Sequence, residues 1–567
     1  MRMRALYLPE LPANPERRRK EQNPAIMGAS VFGWSAFCAL LDYGTYDAYF
    51  VPGLSDKNKE ELAADGLNEK SLKRLVTAPV GNGLAIEEYQ ELIFLTLGPH
   101  LRTVATLRQK LQRYDAPVCG VIHSINSERI FFGVLQQYFA GLVNADLLLC
   151  SSRAGMKTMD VYIEEIGRLL PPEVRYQARR VLVPLGLALP KLEPRLRSSL
   201  RQQLKIGLEE CVVLFFGRLS QISKGDLGPL LVAISMLNQR EINVHLVVAG
   251  DDTQTNEGPR LTELAKELGC TKKVTIWPNP TADDKHLLYS GADIFVSPSD
   301  NLQETFGLSV AEALAYGLPA VVSDWDGYRD IVIDGETGFL IPSLFPSNLE
   351  THQLRHCAMS MLEEDSLAQT TTIDIMTLSA RIQDLVQDPG LRRRMGESAL
   401  HYARRHFNWP VIVKRYEDIW EQAIQIAKTS QSDGTEMSSL FNLSLEKCFG
   451  HFATGKRIVE SRCFISNEGR EWLKAPARFY FLCHLFGPPS PQIFAETLQA
   501  IADSPGITIA EVIDSRLKQN ARESSAELHW CLGRLFKYGL VASSLGCAAT
   551  EHRPADLLSV AQTQATS

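Results

Sequence analysis

The sequence predicts an α/β chain: two doubly wound parallel-sheet halves facing across a cleft, then a small, mainly helical C-terminal domain. Three observations predict it. Short, continuous apolar runs recur with helical patterns between them, as strands covered on both faces require. The runs fall into two sets, separated by the charged, helix-prone stretch Glu193–Leu204. A polar, aperiodic stretch beginning at Lys428 then closes the second set.

The first set places strands at Ala5–Leu8, Asp47–Val51, Pro117–His123, Asp146–Ser151 and Arg180–Pro184, with helices such as Val31–Leu41 and Ile130–Val143 between them. The second places strands at Val212–Phe216, His245–Ala249, Lys273–Ile276, Ile294–Ser297 and Ala320–Ser323. A helical pattern from Leu308 to Tyr316 stops at Gly317-Leu-Pro319. The Ser/Thr-rich stretch 345–375 reads as an insertion, followed by helices Thr377–Val386 and Pro389–His406. After Arg405-His-Phe-Asn-Trp409 a further helix runs to about Ala427. The expected domains are 1–190 and 191–427, a linker 428–438, a domain 439–550 and a disordered tail 551–567. In the last domain a helix capped by Thr508, a turn, a longer helix ending at Gly539 and a strand resemble a winged-helix unit.

Composition narrows the function classes. At 567 residues the chain needs more than one core. Its net charge of −7 gives no global basic field for nucleic acid or anionic lipid. No apolar window of about 18 residues occurs, so no transmembrane helix is expected. The apolar run in Met1–Leu8 is too short for a signal peptide and reads as a first strand. The 11 cysteines are scattered without CxxC spacing, so neither a metal site nor a disulfide framework is expected. A reducing cytoplasm fits, with peripheral contact at the inner membrane face as an open alternative. Arg17-Arg-Arg-Lys20 lies between Glu16 and Glu21 and reads as a solvated loop. Arg534 and Lys537 give the C-terminal domain too little basic character for DNA, so a protein partner or carrier recognition is favoured there.

The most informative segment is Glu304-Thr-Phe-Gly-Leu-Ser-Val-Ala-Glu312. Glu304 falls on a loop at the carboxyl end of a strand. Glu312 falls in the first turns of the next helix. The helix start between them offers unpaired backbone N–H groups to an anion. The carboxylates can accept hydrogen bonds from sugar hydroxyls. Upstream, Phe216-Gly-Arg-Leu-Ser-Gln-Ile-Ser-Lys-Gly225 sets Arg218 and Lys224 on one strand-end loop, with Gly217 permitting the turn. Two cations there suit a diphosphate.

These segments, together with Gly317-Leu-Pro-Ala-Val-Val-Ser-Asp324 and Gly335-Glu-Thr-Gly-Phe-Leu340, resemble family 4 glycosyltransferases, which are retaining enzymes of GT-B fold with an E-x7-E motif. The resemblance is strong over 205–425, weaker over 1–190 and absent from 430 onward. It implies that Glu312 holds the ribose hydroxyls and that Glu304 faces the donor sugar. Thr305, Phe306, Gly307 and Leu308 would present backbone N–H groups to sugar and phosphates. Arg218 and Lys224 would stand in for a metal, so no metal and no cofactor are expected beyond the nucleotide-diphosphate sugar. His123, in Val118-Cys-Gly-Val-Ile-His-Ser-Ile-Asn126, resembles the family's active-site histidine, which can donate a hydrogen bond to the transferred sugar. The family's Gly-rich N-terminal loop corresponds to Met27-Gly-Ala-Ser-Val-Phe-Gly33. Here the usual Gly-Gly pair is replaced by Gly28 and Gly33, so simple helix-start geometry is an equal reading. The resemblance also implies that the Trp409 turn leads a terminal helix back onto the first domain.

The expected activity is therefore transfer of a hexose-type sugar, with retention and without metal, from a nucleotide sugar to an acceptor hydroxyl. The donor base (UDP, GDP or ADP) leaves no side-chain code, because backbone groups, here near Ile276-Trp-Pro278, read it. The acceptor stays open between glycan, lipid, peptide and metabolite. The rival reading is a nucleotide-sugar sensor or scaffold acting through the C-terminal domain. A third keeps the fold and changes the reaction to nucleotide-sugar hydrolysis or epimerisation.

Overall fold

The computed structural model describes residues 3–15, 17, 28–78, 86, 88–193, 196–221, 224–302, 304–345, 371–430, 460–482, 490–520, 523 and 525–543. The chain divides into two compact units, residues 1–77 with 88–439, and 78–87 with 440–567. The expected insertion, linker and tail lie largely or wholly outside the described residues.

The first unit holds two parallel sheets. In the first sheet the strands are β1 (Arg4–Tyr7), β2 (Ala48–Pro52), β3 (Leu75–Ala78), β4 (Glu91–Thr96), β5 (Val118–Val121), β6 (Leu147–Cys150) and β7 (Arg179–Leu182), in the order β3-β2-β1-β4-β5-β6-β7. The second contains β8 (Cys211–Phe216), β9 (Val244–Gly250), β10 (Val274–Pro278), β11 (Ile294–Ser297), β12 (Ala320–Ser323) and β13 (Gly338–Ile341), in the order β10-β9-β8-β11-β12-β13. Each order reverses beside its first strand, which is the doubly wound arrangement, and ligands lie at the carboxyl ends of strands near such points. The strands are short and apolar because helices cover both faces. β5, β6, β9 and β11 are buried at every position. A small antiparallel pair, β14 (Ser343–Leu344) with β15 (Thr372–Ile373), follows. This is a GT-B arrangement of two Rossmann-like halves.

The boundaries differ from the sequence reading at several places. β4 and β3 were not expected, yet β4 sits at the centre of its sheet beside β1 and β5. β5 ends at Val121, so His123 lies on the loop beyond it and not within a strand. Glu193–Leu204 contributes the helix Leu196–Leu204 between the two sheets. Arg17 pairs with Glu61 and Asp65, each at 2.8 Å, and stays partly exposed, while the rest of the basic run, residues 18–20, lies outside the described residues.

Two connections hold the halves together. Leu187 N–H donates to Phe407 O at 2.8 Å, and Trp409 N–H returns to Leu187 O at 3.3 Å. The helix Trp409–Ser430 then packs on the helix Gly28–Tyr43 and on β4. Trp409 Nε1 donates to Ser35 Oγ at 2.7 Å, and Glu417 accepts from Thr45 N–H at 2.6 Å. Trp420 is fully buried and meets Tyr46 edge-on at 5.8 Å.

The second unit is mainly helical. Its helices Asn467–Leu473, Pro491–Asp503, Ile509–Gln519 and Ser525–Lys537 enclose Phe479, Phe494, Leu498, Leu528 and Leu535. Thr508 and Glu511 form a capping box at the start of Ile509–Gln519. β16 (Cys463–Ile465) pairs antiparallel with β17 (Val541–Ser543). The helix–helix–strand order over 509–543 is present, but the strand that pairs with β17 precedes the helices.

Candidate functional site

The site begins at the carboxyl ends of β8 and β11. β8 delivers Phe216, Gly217 and Arg218. Gly250, at the end of β9, has φ 157° and a Cβ there would stand 1.5 Å from Gly217 O. The two strand ends can approach so closely only with glycine at that position. Arg218 enters the cleft from this corner. Burial pulls its guanidinium below its ordinary value, while Glu304 and Asp251 act in the opposite direction. A partly buried cation of this kind gains from an arriving anion.

Lys224 returns to the same place. Its Nζ is ion-paired with Glu304 Oε2, and both side chains are largely buried. Behind it, Ser299 Oγ donates to Lys224 O at 3.2 Å and Asp226 N–H donates to Asp300 Oδ1 at 3.3 Å. Burial pushes the Asp300 carboxyl up to about 7.

Glu304 leads into the helix Leu308–Ala315, whose N-cap is Gly307 at φ 100°. A Cβ on Gly307 would lie 2.5 Å from the Tyr328 ring. Glycine therefore satisfies both the left-handed backbone and the close packing. It caps the helix without a side-chain hydrogen bond, so the first N–H groups of the helix have no side-chain acceptor there. Phe306 is buried against Phe407 edge-on at 5.7 Å and fixes the turn. Glu312, one turn into the helix, accepts from Lys285 Nζ at 2.7 Å and from Tyr289 OH at 3.4 Å. Tyr289 is buried in a stack with Phe295 and Tyr316.

The first half contributes His123. Its Nε2 donates to Leu97 O at 2.6 Å, and its ring meets Phe32 edge-on at 4.9 Å. Burial lowers its pKa from the ordinary 6.5. Its Nε2–H is thus engaged by Leu97 O beside the cavity that Glu304 also lines. Thr305 Oγ1 donates to His123 O at 2.7 Å, so the Glu304 loop is tied directly to the first half.

These side chains share one cavity of about 590 Å³. Gly28, His123, Gly217, Arg218, Lys224, Glu304, Thr305, Phe306, Gly307, Leu308 and Glu312 all line it. Gly33 does not: it lies further along its helix and faces an adjoining cavity of about 330 Å³ with Glu10, Thr96, His100 and the other side of His123. Sequence reasoning missed Lys285, Trp34, Asp251 and Thr281, which also line the main cavity. Its rim beyond β10 is formed by Pro280, Thr281 and Ala282, a few residues past the expected Ile276–Pro278. The capping box Thr281/Asp284 at the start of Ala282–Gly291 is the sequence signal that could have located Lys285 on that helix. Among the described residues no cluster of His, Cys, Asp and Glu fit for a metal occurs.

Comparison with known proteins places this cleft in context. Residues 197–350 match the family model of glycosyl transferases group 1. The matched stretch contains β8 to β13 and the positions Arg218, Lys224, Glu304 and Glu312. A D-inositol 3-phosphate glycosyltransferase from Corynebacterium aurimucosum is 29% identical over 233 residues, 41% of this chain and 48% of the relative. One from Segniliparus rotundus is 31% identical over 166 residues, 29% of this chain and 36% of the relative. The chain thus spans about half or less of the length of these relatives. Among solved structures, Anabaena HepE in complex with UDP and glucose is 17% identical with a TM-score of 0.48, covering 74% of this chain and 100% of its own. Among the described residues, no helix is long and apolar enough to cross a membrane.

Proposed function

We propose that this glycosyltransferase moves a hexose-type sugar from a nucleotide-diphosphate sugar to an acceptor hydroxyl, with retention and without metal. The observation that carries the reading is the convergence of Arg218, Lys224, Glu304, the open helix start at Leu308 and Glu312 on one cavity. In this reading the diphosphate takes Lys224 from Glu304 and lies between Lys224, Arg218 and the helix start. Negative charge that develops on the leaving diphosphate is met by these fixed donors, which is where electrostatic catalysis acts. Glu312 accepts from the ribose hydroxyls and Glu304, released from Lys224, faces the sugar. The acceptor attacks from the face the diphosphate leaves, and the departing phosphate oxygen takes the acceptor proton. The bond from anomeric carbon to diphosphate breaks as the bond to the acceptor oxygen forms, so no side-chain base is required. His123, with Nε2–H on Leu97 O and its own carbonyl accepting from Thr305 Oγ1, braces the Glu304 loop from the first half.

The test is the configuration of the first product. UDP-, GDP- and ADP-hexoses are incubated with the enzyme, with water as acceptor, and the released anomer is read by NMR before mutarotation. Release of the donor's own anomer supports retention; release of the opposite anomer contradicts it.

A further inference from the structure

On the far side of the Glu304 loop lies a second cavity of about 420 Å³ that shares no lining residue with the first. Its walls come from the loop after β5, the helix Arg153–Gly167 and the segment after β12. Trp325 and Phe345 are stacked there, 5.9 Å apart at 25°, and Phe345 is 47% exposed. Trp325 is fixed by donation from Nε1 to Asn301 O at 3.0 Å. Across from them, Tyr162 OH donates to Ile125 O at 3.0 Å. Asn126 is only 7% exposed, lines the cavity, and its Nδ2 is enclosed without a hydrogen-bond partner. A buried amide left without a partner in a native fold calls for a ligand or a water. Asp326, at φ 42°, and Arg329 complete the polar wall. A left-handed backbone at a residue other than glycine is a strain more often met at functional sites than elsewhere.

We propose that this cavity binds a pyranose ring of a saccharide, separately from the donor. A flat aromatic wall suits the C–H face of a sugar. An amide, a carboxyl group and a guanidinium suit its hydroxyls and ring oxygen. The cavity also connects to the chemistry, because Gly327 N–H donates to Glu304 O at 3.3 Å. A sugar seated beside Asp326 bears on the segment that carries Glu304. The occupant is then part of a glycan, and this face would favour saccharide ligands over simple metabolites.

The test is saturation-transfer NMR on the full chain with the methyl pyranosides of glucose, mannose and N-acetylglucosamine at millimolar concentration. Wild type and Glu312→Ala are expected to bind at least one of them. Thr158→Trp, which fills the cavity, and Asn126→Leu are expected to lose the signal. Replacing the unpaired amide by an apolar isostere should leave the melting temperature equal or higher. Asn126→Leu therefore decides the matter if Thr158→Trp does not fold. No signal with any of the three sugars on wild type overturns the proposal. So does a signal that survives Asn126→Leu, or one that vanishes in Glu312→Ala and so belongs to the donor cleft.

Discussion

Lys224 and Glu304 are ion-paired in the floor of the cleft, eighty positions apart in the chain. Each holds the other where a donor would need both: the cation at the diphosphate and the carboxylate at the sugar. The pair keeps two largely buried charges compensated, and in the proposed reading Lys224 exchanges Glu304 for the donor's diphosphate.

Lys224→Met is therefore expected to lower kcat by about a hundred- to a thousandfold, the loss typical of one transition-state donor. Arg218→Met should do the same, and the double variant should lose less than the product of the two, because both act on one group. Steady-state kinetics of donor hydrolysis checks this. Unchanged turnover in the double variant contradicts the proposed role.

Lys285 holds Glu312 from a helix 27 positions earlier, and both side chains are partly exposed. Such pairs are worth about 0.2–1 kcal/mol. Lys285→Ala is expected to raise the KM for donor by about two- to fivefold with kcat little changed. A fall in kcat at constant KM would show that Lys285 acts in the reaction and not on Glu312.

Asp300 sets a pH dependence of stability. Its carboxyl is raised from 3.8 to about 7 by burial. The folded state thus favours the neutral acid. Its stabilising contribution is present at pH below 3.8 and is lost as pH rises from there through 7. Asp300→Asn keeps an acceptor for Asp226 N–H and removes the charge. The variant should melt higher than wild type at pH 8, by on the order of a few kcal/mol, and close to it at pH 4. Melting curves at the two pH values decide; an equal shift at both contradicts the assignment.

Gly307→Ala adds a Cβ 2.5 Å from the Tyr328 ring at φ 100°. The strain expected is about 1–3 kcal/mol, read as a lower melting temperature and a weaker response to donor. An unchanged melting temperature would mean that the loop moves freely and does not hold a preformed helix start.

The sequence reading recovered what local pattern can carry. β8, β9, β11 and β12 are apolar runs bounded by turn residues, and the Phe-Gly turn and Gly-Leu-Pro stop frame Leu308–Ala315 within the reading's own limits. β4 was missed although it is central and, at six residues, longer than β11 and β12, because a continuous apolar run such as Glu-Leu-Ile-Phe-Leu-Thr is not told from a buried helix segment by periodicity alone. Leu97, just past β4, supplies the carbonyl that takes the His123 N–H, a contact that no local pattern shows. Lys285 and Trp34 enter the cleft from helices whose own sequences show only ordinary charge and ordinary core. Tertiary packing alone makes them part of the cavity.

The most direct measurement is a thermal-shift and hydrolysis panel with UDP-, GDP- and ADP-hexoses on wild type and Glu312→Ala. At about 100 times the dissociation constant a bound donor adds about 2.7 kcal/mol, a clear rise in melting temperature. The account predicts a rise with one nucleotide class, slow hydrolysis of that donor, and loss of the rise in Glu312→Ala. No rise with any donor, or an undiminished rise in Glu312→Ala, contradicts a donor site built on this cleft.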